Sequence, residues 1–117
     1  MEKSPRTSFV SGSKIKWTAH AAKDLESLWD YLALQSSLTA EDATGLIRTR
    51  IEDLKKFPEM GRVVPEFDTL GITQYRELIV SRYRIIYLNL EKIIFIYALI
   101  DQSQSLQQAL INRLPLQ

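Results

Sequence analysis

The sequence predicts an α+β domain: a small antiparallel-rich sheet of about four strands, with an N-terminal helical hairpin packed on one face and a short C-terminal helix. Three observations carry this reading. Residues 18–56 place apolar side chains at helical spacing, in two runs separated by a short polar stretch. Residues 75–100 hold three consecutive runs rich in Ile, Tyr, Val and Leu, with no proline inside. The chain has 117 residues, 45% hydrophobic and 25% charged, which is the size and composition of one globular domain.

In chain order, residues 1–13 contain Ser, Pro and Gly and read as a flexible tail, so the domain is expected over 14–117. "KIKW", residues 14–17, alternates polar and apolar and predicts a first strand. Thr18 reads as the N-cap of a helix whose Leu25, Leu28, Trp29 and Leu32 fall on one face. Thr39 with Asp42 three residues later is a capping-box signal for a second helix, striped by Ala43, Leu46, Ile47, Ile51 and Leu54. Pro58 ends it. Residues 57–73 lack periodicity and read as a long loop, pinned by Phe57, Val63, Val64, Phe67 and Leu70. Loops beyond about 12–15 residues in a small domain are commonly functional. "YRELIV", "YRIIYLNL" and "IIFIYALI" then follow with only Ser81-Arg82 and Glu91-Lys92 between them, the pattern of antiparallel hairpins. The third run has no polar alternation except Tyr97, so it is expected to be the most buried, central strand. Leu106, Ala109, Leu110 and Arg113 give the C-terminal helix.

Composition removes several chemistries. Without cysteine there is no disulfide, thiolate metal site or cysteine nucleophile, which fits a reducing cytoplasm. His20, the only histidine, reads as a surface residue at a helix start. No metal-ligand spacing and no glycine-rich phosphate loop occurs, so neither metal nor cofactor is expected. The most apolar run, residues 93–100, falls far short of the roughly 20 residues a membrane span needs, and no apolar leader segment precedes the domain. Charge is unevenly placed. In residues 18–43, Asp24, Glu26, Asp30, Glu41 and Asp42 outnumber the single Lys23, whereas the middle of the chain is rich in arginine. That profile suits a local anion site better than a nucleic-acid coat.

The arginines near strands are the candidates. Arg62 follows Gly61, which supplies backbone freedom at a corner. Arg76 opens one strand, and Arg82 and Arg84 flank Tyr83 in the next. Converging guanidinium forks suit phosphate or carboxylate. Tyrosines interleave with them, and Tyr with Arg can stack bases, although Tyr is also simply a good strand former. The resulting set for target or phosphate binding is Arg62, Arg76, Arg84, Tyr83 and Tyr87, with no catalytic residue identified. On the competing reading, Arg76 pairs with a carboxylate such as Glu66, and Arg84 is a solvated edge charge.

"FPEMGRVVPEF" followed by "YRELIVSRYRIIYLNLEKIIFIYALID" resembles the RelE/ParE superfamily of toxins from type II toxin–antitoxin pairs. The matching positions are Phe57, Pro58, Gly61 and Arg62; Arg76, Glu77 and Leu78; and Tyr83, Arg84, Ile85 and Tyr87, within a likeness running from about residue 16 to 101. The resemblance implies a cytoplasmic toxin whose glycine–arginine corner caps the helical hairpin and brings its arginine toward the sheet. It implies a partner too: an antitoxin whose C-terminal segment wraps the toxin, the complex often repressing its own promoter. RelE-like members cut mRNA on the ribosome without metal and carry a histidine or tyrosine after the last strand. Here that stretch reads "DQSQSLQQ". ParE-like members, the plasmid-stabilisation branch, block DNA gyrase, and many have an arginine pair at the same place, also missing here. The resemblance leans to the ParE side. Three readings stand: a gyrase poison, a ribosome-dependent endoribonuclease, and an inactive relative that only binds antitoxin.

Overall fold

The computed structural model describes residues 14–110 and Arg113; the expected N-terminal tail and the end of the chain lie outside the described residues. The elements are β1 (Lys14–Trp17), α1 (Ala19–Ala33), α2 (Ser37–Glu52), a 3₁₀ turn (Asp53–Lys55), β2 (Arg62–Val63), α3 (Pro65–Asp68), β3 (Tyr75–Val80), β4 (Tyr83–Leu90), β5 (Ile93–Asp101) and α4 (Leu106–Leu110). They build a five-stranded sheet in the order β1-β5-β4-β3-β2. The fold class stands as read, with one strand more than the expected four. β4 is the middle strand and β5 its neighbour, closed on its outer side by β1 in parallel pairing. β5 is therefore internal, as its apolar run predicts, but not central.

Local signals explain most element ends. The Thr18 hydroxyl accepts the Ala21 N–H at 3.1 Å and starts α1. α2 begins earlier than the Thr39 signal suggests: Ser36 is its cap, accepting the Thr39 N–H at 3.3 Å. Its buried stripe is accordingly Ala40, Thr44, Ile47 and Ile51, continued by Leu54, while Leu46 stays 50% exposed. The two-residue turn Glu91-Lys92 holds both residues at positive φ, the backbone twist that tight hairpins need.

Both faces of the sheet are covered. On one, Leu25 of α1 and Ile47, Ile51 and Leu54 of the α2 end pack on Leu78, Val80, Ile85, Tyr87, Ile94 and Ile96. On the other, Val64, Phe67, Leu106 and Leu110 cover Tyr75, Ile86, Ala98 and Ile100. Each Leu or Ile withdrawn from water contributes about 1.5–3 kcal/mol. Tyr75 anchors the second layer, edge-on to Phe67 at 5.6 Å and to Tyr97 at 5.7 Å between ring centres. The stretch read as a loop thus contains β2 and α3. Val64 and Phe67 are its anchors, whereas Phe57 and Leu70 are exposed.

Where β1 ends, α1 takes over as the partner of β5. Past Ile96, the Leu99 N–H lies beyond the last residue of β1 and donates instead to Asp24 Oδ2 at 3.1 Å. The same carboxylate receives the fork of Arg113, at 2.7 and 3.1 Å, tying the chain beyond α4 to the hairpin.

Candidate functional site

Register separates the candidate arginines. Arg76 stands opposite Tyr87, whereas Arg84 stands opposite Ile79 and Glu77 opposite Ile86. Directly paired residues share a face and successive residues alternate. Arg76 and Tyr87 therefore lie on the hairpin face, and Arg84 and Glu77 on the other.

On the hairpin face the candidates hold backbone. The Tyr87 hydroxyl, fully buried, donates to the Pro58 carbonyl at 2.8 Å and accepts the Gly61 N–H at 3.0 Å. Burial pushes its pKa above the usual phenol value, so it stays a neutral clamp. Arg76 Nη1 donates to the Gly61 carbonyl at 2.7 Å and to that of Glu59 at 3.4 Å. The corner between the 3₁₀ turn and β2 is stapled from both sides. Glycine is needed there for space rather than for backbone freedom. A Cβ on Gly61 would stand 2.6 Å from the Glu77 carbonyl oxygen and 2.7 Å from the Tyr87 hydroxyl, and the residue is not among those at positive φ.

On the opposite face the candidates hold carboxylates. Glu77 is buried, with one oxygen on Arg62 Nε at 2.7 Å and the other on Arg84 Nε at 2.6 Å. The two terminal nitrogens of Arg84 reach the Glu66 carboxylate of α3 at 2.8 and 2.7 Å. These bonds hold the Arg84 guanidinium charged well above the usual arginine range, led by Glu66. In return Arg84 holds the Glu66 carboxyl below its ordinary value. Arg84 is thus a buried strut rather than a solvated edge charge, and Glu66 pairs with Arg84 rather than Arg76. Arg62 is 61% exposed, and only its Nε is engaged among the described residues.

Tyr83 belongs to neither cluster. It lies beside Arg82, whose guanidinium meets Asp101 at 2.7 and 3.2 Å. That pairing, helped by the Ser103 N–H, brings the Asp101 carboxyl down to about 2. The five candidates therefore occupy three places, and only Arg62 and Arg84 converge on one group. Glu77 and Glu66 are the participants that the choice of candidates missed. The available signal was a glutamate inside an apolar strand, which asks for a buried cation. Among the described residues no three His, Asp or Glu side chains gather as metal ligands, and no helix is long and apolar enough to cross a membrane.

Comparison with known proteins places this geometry. The family model described as the ParE toxin of the type II toxin–antitoxin system, parDE, matches residues 15–106. None of the curated proteins matches significantly. Among solved structures, a chain of the chromosomal ParDE toxin–antitoxin system from P. aeruginosa superposes with a TM-score of 0.63 at 22% identity, over 78% of this chain and 97% of that one. A chain of the RelBE2 toxin–antitoxin complex from Mycobacterium tuberculosis gives a TM-score of 0.50 at 16% identity, over 77% and 98%. At these identities the likeness is one of fold. The family model spans most of the chain and covers the hairpin, the Gly61–Arg62 corner and all three strands of the meander: the protein belongs to the ParE toxins of type II toxin–antitoxin systems, on the ParE side of the RelE/ParE superfamily.

Proposed function

We propose that this toxin is held in check in the cytoplasm by a cognate antitoxin and acts by binding and poisoning DNA gyrase, without cleaving RNA. One observation carries the reading: Arg84 and Tyr87, the polar side chains of the middle strand that could face a target, are spent inside the fold. Arg84 is bonded through all three nitrogens to Glu77 and Glu66, and the Tyr87 hydroxyl is buried between Pro58 and Gly61. RNA cleavage without metal needs a base, an acid and a phosphate-facing cation held together. Here Arg62, the exposed arginine of the set, is engaged through its Nε by the buried Glu77 carboxylate. The antitoxin partner draws support from the family and from the toxin–antitoxin assemblies named for both similar structures.

Pulse-labelling of new DNA and new protein, minutes after inducing the chain alone, tests this. DNA synthesis is expected to stop first while translation continues, and purified toxin is expected to inhibit supercoiling by gyrase. Arrest of translation first, with cut mRNA, would replace this reading with the ribosome-dependent nuclease. Folded protein that stops neither would mark a toxin reduced to antitoxin binding.

A further inference from the structure

β5 is flanked by strands on both sides only over its first half. β1 pairs with Ile93 to Ile96, and the Thr18 N–H bonds to the Ile96 carbonyl at 3.0 Å. The chain then turns into α1, so among the described residues no strand lies beside Tyr97 to Asp101 on that side. Two amides of this open half are nonetheless satisfied, both by side chains. The Leu99 N–H donates to Asp24 Oδ2 at 3.1 Å, and that of Asp101, two residues on, to Gln104 Oε1 at 2.8 Å. Side-chain oxygens thus stand in for the carbonyls of a neighbouring strand. Bulk does not close the edge. A cleft of about 340 Å³ opens beside it, with Asp24, Leu28, Leu99, Gln104 and Arg113 in its lining. The two stand-ins differ in firmness. Gln104 is exposed. Asp24 is largely shielded, and Arg113 fixes it with two bonds: Nη1 donates to the same Oδ2 at 2.7 Å and Nη2 to Oδ1 at 3.1 Å. A carboxylate held by such a fork is kept from turning away.

We propose that Asp24, positioned by Arg113, is an edge guard that keeps the open half of β5 from pairing with a strand of a second copy of the chain. An unpaired edge on an apolar strand is a template for such pairing. A strand that adds here must offer a carbonyl to the Leu99 N–H. That place is taken by a carboxylate oxygen, which the incoming carbonyl meets oxygen to oxygen. The role of Arg113 is indirect: it holds the guard in place and touches no strand amide itself. The guard stands whether or not gyrase is the toxin's target.

The test follows the full chain by hydrogen exchange of single amides and by gel filtration over a range of concentrations. Asp24→Ala should speed exchange at Leu99 by a factor about tenfold or more above any change at Ile96, in the half that β1 covers. Its apparent mass should rise with concentration beyond that of the parent. Arg113→Ala, which leaves the carboxylate but frees it to turn, should move both readouts the same way by about threefold less, and it carries the test if Asp24→Ala does not fold. Asp24→Asn keeps an oxygen for Leu99 and should behave like the parent. Tyr87→Phe, a weakening placed on another strand, should not raise the apparent mass. The proposal is overturned if the folded Ala variants elute like the parent, if Leu99 and Ile96 exchange faster by the same factor, or if Asp24→Asn associates as Asp24→Ala does. Association of Tyr87→Phe to the same extent would also overturn it, since self-pairing would then follow lost stability rather than an opened edge.

Discussion

The two faces of the β3–β4 ribbon solve one problem in opposite ways. Each must fasten the chain between α2 and β3 onto the sheet. The hairpin face uses a phenol and a guanidinium on carbonyl and amide groups of the Pro58–Gly61 corner. The other face uses ion pairs, with Glu77 between Arg62 and Arg84, and Glu66 strapping α3 to Arg84. Clamping onto uncharged backbone groups needs only that donors and acceptors be paired. Buried charge needs every partner in place, since removing one leaves the others uncompensated. The lesson is that arginines and tyrosines typical of a ligand site can be consumed by the scaffold, and that register decides which.

Substitutions on each face sharpen that contrast. Glu77→Ala removes the carboxylate shared by two arginines and should cost about 3 kcal/mol in urea unfolding. A cost below about 1 kcal/mol would mean that the ion pairs only decorate the surface. Gly61→Ala forces a methyl against the Glu77 carbonyl and should cost about 2 kcal/mol by the same measurement. Tyr87→Phe keeps the ring but strands the buried Gly61 N–H, so about 1–2 kcal/mol is expected, less than on the charged face. Glu66→Gln should change neutral stability by less than about 1 kcal/mol, because half of that side chain is in water. Its mark lies in acid. The Glu66 carboxyl titrates below 4.5 in the folded chain, so its contribution is complete above that pH and fades as pH falls through the lowered value. The Gln variant should therefore lose less stability on acidification. Equal acid limbs for variant and parent would remove Glu66 from the network. Arg82→Ala, at the solvent-exposed pair with Asp101, should leave the Tm unchanged within error.

The sequence was legible where a pattern repeats. Ile47, Ile51 and Leu54 recur at helical spacing, and "YRIIYLNL" and "IIFIYALI" are long enough to read as strands, so hairpin and meander follow from residues alone. β2 has two residues and α3 four, too few to show any period, so the stretch around them looked like a loop. Leu46 misled because an exposed leucine has the same letter as a buried one, and nothing local marks the difference. The site was less legible for a different reason. The partners of Glu77 come from residues 62 and 84, and that of Arg84 from residue 66, so the network exists only once register is set. Arginine identity told of charge and planarity; it could not tell which carboxylate stood opposite.

The parallel edge of the sheet has a consequence for how the chain is made. β1 leaves the ribosome before every other strand of the sheet, yet its partners run from Ile93 to Ile96 of β5. Until those residues emerge, β1 has no place in the sheet, and β5 is synthesised into a meander whose outer edge is open. The local hairpins of β3, β4 and β5 can zip as they appear, whereas closing the β1–β5 edge waits for the longest loop in the molecule. During that interval the unpaired edge of β5, the most apolar strand, is the part of a nascent chain most exposed to wrong pairing.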